Sequence, residues 1–264
     1  MAPVVGSGST PACTALVPNF ICRISGKCIR LFVVVSAFKR PIMSHNSEEF
    51  IPYEPRDFTE EETRTRSAEF FEFMDKRRSL RFFTDKSVPK EVIENIIKTA
   101  STAPSGAHQQ PWTFCAISSA VIKSQVREAA EKEEYENYHG RMTDRWLKDL
   151  KPFGTNHIKP FLEIAPWIIV VMKRSYELVD GEKKNNYYAT ESVGLATGFL
   201  LTAIHNAGLV ALTHTPSPMN FLSKVLERPS NEKPFLLIPV GYPTDDAEVP
   251  GLTRKRLDEM AVFY

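Results

Sequence analysis

The sequence predicts one α+β domain, and three observations carry that reading. Apolar residues recur at helical spacing, as in Val92, Ile93, Ile96 and Ile97. Short apolar runs such as Ala165 to Met172 read instead as buried strands. The two kinds of segment alternate from about residue 75 onward with no internal repeat and no obvious linker. With 264 residues, 42% of them hydrophobic and 25% charged, the chain can bury a sizeable core, and its 12 Gly and 19 Pro exclude a collagen-like or low-complexity architecture.

Taken in order, Ser44 to Asp75 is acidic and punctuated by Pro52 and Pro55, an extended arm leading into a helix over Thr59 to Arg77 that Thr59 caps. Val88-Pro89 opens a second helix that runs to about Ala103. Pro111 to Ile117 is strand-like, and Ile122 to Leu150 reads as one long, charged helical stretch. After the strand at Ala165 to Met172, Tyr188 to Asn206 is an almost wholly apolar helix ending near Gly208, followed by strands at Leu209 to Thr213 and Pro234 to Val240.

Charge and cysteine usage narrow the function classes. The net charge is +1, with no basic run, which removes the electrostatic footprint of a nucleic-acid binder. The average hides an asymmetry: residues 1–43 lack Asp and Glu but hold Arg23, Lys27, Arg30, Lys39 and Arg40. The apolar stretch Ile29 to Phe38 in this leader, interrupted by Arg30, is far short of the roughly 20 residues that span a bilayer. A transit peptide and a weak signal sequence remain alternatives for it. Cys13, Cys22 and Cys28 lie in the leader and Cys115 in the body, which gives no disulfide framework, and the scattered histidines give no metal-ligand spacing. The division expected is therefore a basic leader over 1–43, an acidic arm or linker over 44–69, and a domain over 70–264.

Three clusters carry candidate chemistry. Lys76-Arg77-Arg78-Ser79-Leu80-Arg81-Phe82 groups three guanidinium groups with a hydroxyl, a set that could grip a phosphate, although a solvated basic helix end would look the same. Ala103-Pro104-Ser105-Gly106-Ala107-His108 is a small-residue loop whose backbone amides could approach a ligand, or a plain turn. Leu212-Thr213-His214-Thr215-Pro216 presents hydroxyls at a strand end. Neither a Rossmann G-x-G-x-x-G nor a Walker loop is present.

In this order, with a late Pro239-Val240-Gly241-Tyr242-Pro243, the clusters resemble the nitroreductase superfamily of FMN enzymes over about residues 70–264. Ala107-His108, Asn206-Ala207-Gly208-Leu209-Val210 and Thr213-His214-Thr215-Pro216 resemble the iodotyrosine deiodinase branch in particular. The resemblance implies a nitroreductase-like fold, a central mixed sheet flanked by helices in an intertwined homodimer, with FMN in two sites at the subunit interface. Arg77, Arg78, Ser79, Leu80, Arg81, Pro104, Ser105, Gly106, Thr213, His214, Thr215 and Arg254 would hold FMN, Thr215 beside flavin N5, where it would support one-electron steps.

The deiodinase branch also implies a substrate set, matched here by Glu134, Tyr138 and Lys159, with the amide of Ala107 on the phenolate. Physically, an amino-acid zwitterion needs an anion for its ammonium and a cation for its carboxylate, and Glu134 and Tyr138, spaced i, i+4, fall on one helix face. The implied activity is reductive dehalogenation of 3-iodotyrosine and 3,5-diiodotyrosine, with other halotyrosines fitting the same clamp. Electrons would come ultimately from NADPH through an unidentified flavin reductase. An NAD(P)H-dependent nitroreductase or quinone reductase, and a flavin-bearing regulatory protein, are the alternatives. The expected setting is a soluble catalytic domain in the cytoplasm, the alternative a membrane-anchored form as in vertebrate members. His214 stands where vertebrate deiodinases have Thr.

Overall fold

The computed structural model describes residues 50–264, together with the backbone of two short strands, β1 (Arg23–Ile24) and β2 (Lys27–Cys28), which pair antiparallel. The rest of the basic leader, including Ile29 to Phe38, lies outside the described residues. Residues Asp57–Tyr264 form the compact unit that carries the sheet and the candidate site.

Helix α1 (Glu60–Asp75) starts at a capping box: the Thr59 hydroxyl accepts from the Glu62 amide at 3.2 Å while the Glu62 carboxylate accepts from the Thr59 amide at 2.8 Å. Three glutamates in its first turn suit the positive end of the helix dipole. None of its residues is buried, and Phe70 and Phe71 are 57% and 66% exposed. Beyond α1 the chain runs extended, the Leu80 amide donating to the Ala211 carbonyl, and enters α2 (Lys90–Ser101), which buries Ile93, Ile96 and Ala100.

β3 (Trp112–Ile117) precedes α3 (Ala120–Glu136), and here structure and expectation part. The charged stretch expected as one helix is broken: α3 passes into a π turn over Asn137–Arg141, and a new helix, α4 (Asp144–Leu150), starts at a Thr143 cap. Gly140 and the capping threonine supply the local reason. A short α5 (Phe161–Ile164) leads to β4 (Trp167–Arg174). The hairpin β5 (Tyr176–Val179) and β6 (Glu182–Asn185) turns through Asp180 and Gly181, both with positive φ, and was not anticipated from the sequence. Then follow α6 (Ala189–Asn206), β7 (Val210–Ala211), α7 (Asn220–Val225) and β8 (Glu232–Gly241).

The central sheet has the order β3-β4-β8-β7 with antiparallel neighbours, and a parallel bridge between Ser79 and Ala211 extends its edge. Side chains of β4 alternate between two cores. Ile169 and Val171 face α2 and α6, whereas Ile168, Val170 and Met172 face the layer of α3, α5 and α7. The sheet is thus covered by helices on both faces. Among the described residues no helix is long and apolar enough to cross a membrane.

Candidate functional site

The end of α1 delivers Arg77, Arg78, Ser79 and Arg81 to a cavity of about 370 Å³ whose far wall is Leu212, Thr213 and the C-terminal stretch through Arg254. Arg254 is drawn in by Asp75, Nη1 to Oδ1 at 2.5 Å, and donates to the Arg77 carbonyl at 3.2 Å. Arg78 donates to the carbonyls of Asp75 and Arg77. Burial, and then repulsion from Arg254 and Arg78, push the Arg77 guanidinium below its usual range. Of the four guanidinium groups that line the cavity, only Arg254 is paired with a carboxylate among the described residues, so the cavity is short of negative charge, a deficit that a phosphate would meet with forked hydrogen bonds. Leu80, within the same stretch of chain, is buried and tied through its amide to the sheet edge.

Arg81 joins this cavity to a second group. It lies over the Phe153 ring, 5.8 Å to the centroid, and the nearby Tyr138 supports its charge against the burial that lowers its pKa. Around it the end of α3 and the segment before α5 bring Glu134 and Lys159 face to face, Nζ to Oε2 at 3.6 Å, with only 8% and 3% of their side chains exposed. Lys159 also donates to the Thr155 hydroxyl at 3.0 Å and to the Asn156 carbonyl, and its ammonium lies 5.6 Å from the centre of the Tyr138 ring. The Tyr138 hydroxyl donates to the Thr155 carbonyl at 3.3 Å. Burial raises the Glu134 carboxyl and lowers the Lys159 ammonium, each opposed by the charge of the other. At 3.6 Å the pair is longer than a good charge-assisted bond, so each partner has capacity left for an opposite charge.

The strand-end cluster sits between these two regions. Thr213 lines the cation cavity, and Thr213 and Thr215 are exposed while His214 is buried, 8% exposed, with its main chain bridged to Leu237. The His214 ring stands edge-on to Phe161 at 5.7 Å, and its Nε2 is buried without a partner. Burial, then Lys159 and Arg81, lower its pKa to about 3, so the ring is neutral. The Asn137 amide, donating to the Ser217 carbonyl at 2.8 Å, fastens this loop to the end of α3.

Within one chain the structure does not bring Pro104, Ser105, Gly106 and Ala107 to this place. Among the described residues none of them lines any of the three cavities beside Arg77. Their loop packs on the start of α6: the Gly106 amide donates to the Ser192 hydroxyl at 3.3 Å, and a Cβ on Gly106 would stand 2.8 Å from the Tyr187 carbonyl oxygen. Ala107, His108 and Gln110 have φ of 48°, 55° and 48°, three of four successive non-glycine residues in the left-handed region, which signals a loop held in a special shape. On the other side, Arg77, Ser79 and Thr213 border a cavity of about 410 Å³ against Gly198 and Thr202 on α6. Phe153, Thr155, Asn156 and His157 also stand at the site and were not singled out from the sequence; their segment carries no motif, and only folding places it there.

The model of the nitroreductase family matches residues 74–242. The chain is 60% identical to an iodotyrosine deiodinase of Haliscomenobacter hydrossis over 81% of its length and 97% of the relative's. It is 50% identical to the Hydra vulgaris iodotyrosine deiodinase, over 82% of this chain and 80% of that one. Among solved structures, an oxidized iodotyrosine deiodinase bound to FMN and 3-iodo-L-tyrosine aligns with a TM-score of 0.64 and 28% identity, over 73% of this chain and 99% of that one. A nitroreductase-like protein of Streptococcus mutans, at 18% identity and a TM-score of 0.57, shares the fold over 75% of this chain and 99% of its own.

Proposed function

We propose, from the premise that this chain belongs to the nitroreductase family and within it to the iodotyrosine deiodinases, that it removes halide reductively from 3-iodotyrosine and 3,5-diiodotyrosine, other halotyrosines being further candidates. As a member of that family it is a flavin-dependent oxidoreductase. The observation that carries the substrate reading is the buried Glu134–Lys159 pair. An α-amino acid presents an ammonium and a carboxylate side by side, and a carboxylate and an ammonium facing each other can each take the opposite group. A nitroaromatic or quinone offers neither charge.

The cofactor reading rests on the excess of cations over carboxylates at Arg77, Arg78 and Arg254, which fits a phosphate monoester, and on the exposed Thr213 that lines the same cavity. FMN, when bound, supplies the two electrons that, with one proton, convert an aryl halide into the arene and halide ion. Arg77, Arg78, Ser79 and Arg254 would hold its phosphate and ribityl chain, and Arg81 would lend positive charge to the ring system. Thr215 would donate to the ring edge. Glu134 and Lys159 fix the amino-acid head, and Tyr138 closes over the aromatic ring and keeps water out. Pro104, Ser105, Gly106 and the amide of Ala107 reach the same centre from a second copy of the chain, which makes the enzyme a homodimer with shared sites. Residues 70–264 are the catalytic domain, and reducing equivalents come from NADPH through a separate flavin reductase.

Purified protein tests this directly. It is expected to retain one FMN per chain, and after anaerobic reduction to be reoxidised quickly by diiodotyrosine with release of iodide. Fast reoxidation by nitrofurazone or menadione but not by diiodotyrosine would replace the deiodinase reading with the nitroreductase one.

A further inference from the structure

The ammonium of Lys159 has three hydrogens to place in a site where only 3% of the side chain is exposed. One goes to the Thr155 hydroxyl at 3.0 Å and one to the Asn156 carbonyl. Both acceptors are neutral, so they fix the ammonium without cancelling its charge. The third hydrogen is left with Glu134 Oε2 at 3.6 Å, too far for a hydrogen bond. That gap matters, because a shorter contact would close the ion pair on itself and an incoming amino acid would have to part it.

The loop that carries Thr155 is held by features other than this hydroxyl. Gly154, with φ of 56°, ends the short turn over Lys151–Phe153, its amide donating to the Lys151 carbonyl at 3.2 Å, and hands the chain to Thr155. Asn156 Oδ1 accepts from the Ile158 amide at 2.8 Å, and His157 meets Tyr135 of α3 edge-on at 5.4 Å. The Lys159 amide donates to the Glu131 carboxylate at 2.6 Å, and Glu131 lies about one helical turn before Glu134 on α3. The main chain on either side of the lysine is thus moored to the helix that supplies the other half of the clamp. The Thr155 carbonyl meanwhile accepts from the Tyr138 hydroxyl at 3.3 Å. Thr155 therefore serves two clamp residues through separate groups, its main chain on Tyr138 and its side chain on Lys159. Removing the hydroxyl alone frees the ammonium and leaves the loop and Tyr138 where they are.

We propose that Thr155 is a positioning residue of the clamp, whose hydroxyl holds the Lys159 ammonium short of Glu134 and so keeps both charges open to an α-amino acid. Without the hydroxyl the ammonium, still shielded from water, closes on the carboxylate that already faces it, and the pair neutralises itself. The inference rests on the clamp reading above, and it does not depend on which halotyrosine is bound.

The test uses the FMN-loaded full chain and measures binding of 3-iodotyrosine and of iodophenol to the oxidised protein. Wild type is compared with Thr155→Val, Thr155→Ser, Lys159→Met and the double variant Thr155→Val with Lys159→Met. Thr155 is half-buried and valine keeps its shape; Thr155→Ala, with the same expectations, takes its place where the valine variant does not fold. Thr155→Val is expected to raise the dissociation constant of 3-iodotyrosine roughly tenfold or more, the scale of one hydrogen bond to a charged group, and to leave iodophenol unchanged. Thr155→Ser keeps the hydroxyl and is expected to bind both ligands as wild type does. In the Lys159→Met background the step from Thr155 to Val is expected to cost nothing, since the hydroxyl then has no ammonium to hold. Equal weakening of both ligands, a Thr155→Ser variant as weak as Thr155→Val, or the same cost with and without Lys159 overturns the proposal, because a packing role would give each of these. Lys159→Met also separates this inference from the reading beneath it. If that variant weakens 3-iodotyrosine alone while Thr155→Val changes nothing, the inference falls and the clamp stands; if it weakens neither ligand, or both equally, the clamp falls and the inference with it.

Discussion

Glu134 and Lys159 each hold a charge that burial opposes, and each is held charged chiefly by the other. Replacing Glu134 by Gln removes a charge-assisted bond to the ligand worth about 1.5–3 kcal/mol, or roughly 10- to 150-fold in affinity. Diiodotyrosine should weaken by that factor in binding to the oxidised protein, whereas iodophenol, with no ammonium or carboxylate, should bind as it does to wild type. Equal weakening of both ligands would return Glu134 to a purely structural role. His214 gives a different residue-scale expectation. Its pKa falls from 6.5 to about 3 on folding, so the unfolded chain binds the extra proton first. The stability is complete above about pH 6.5 and is lost as pH falls toward 3. At about pH 5 the cost is ~2 kcal/mol. Denaturant unfolding of His214→Thr, from neutral pH to about pH 5, should show a fall smaller by that amount; parallel curves for the two proteins would refute the assignment.

At the scale of elements, the loop from Pro104 to Gln110 is a tightly constrained connection, because Gly106 lies against the Tyr187 backbone at a distance that admits no Cβ. Gly106→Val should therefore displace either the loop or the start of α6, at about 1–3 kcal/mol, the range of an overpacked site. It should lower the melting temperature and release FMN, and a variant that keeps both would mean the loop yields freely. Much of this level was legible beforehand. Thr59 with Glu62 announces the start of α1, the spacing of Val92 to Ile97 marks α2, and the run from Ala165 marks β4 as a strand buried on both faces, because in each case a local pattern decides the conformation. The break of α3 at Asn137 was only half legible: Gly140 and Thr143 are local breaking and capping signals, but the π turn is also held from outside, by the Asn137 amide on the Ser217 carbonyl. The same limit applies to the site. Arg77 to Arg81 could be read as cationic from composition, but the closing of Arg254 onto Asp75 and the placement of Phe153 and His157 depend on contacts distant in sequence.

At the scale of the whole molecule, one chain leaves unfinished surfaces that share a direction of argument. Helix α1 buries none of its residues, and α6 exposes Leu195 and Phe199, at 49% and 40%, beside Gly194 and Gly198, where a Cβ would meet nothing within 4 Å. Small residues alternating with large apolar ones on a helix face allow a second helix to approach closely, and the exposed Phe70 and Phe71 of α1 are further apolar surface that water disfavours. The candidate site is incomplete in the same sense: the cavity at Arg77, Ser79 and Thr213 opens against Gly198, while the loop of Ser105 to Ala107 stands apart from it. A two-fold partner packed along α6 would cover the apolar face and could supply that loop. The interface should exceed the ~2,000 Å² at which obligate assemblies begin. The pair Leu195→Glu and Phe199→Glu, placing like charges across the axis, should turn the protein into a monomer that no longer retains FMN. Sedimentation and the flavin absorbance of the same sample then decide the matter together. Dissociation without loss of FMN would show that one chain completes its own cofactor site, and a folded wild-type monomer carrying FMN at micromolar concentration would remove the dimer from the mechanism altogether.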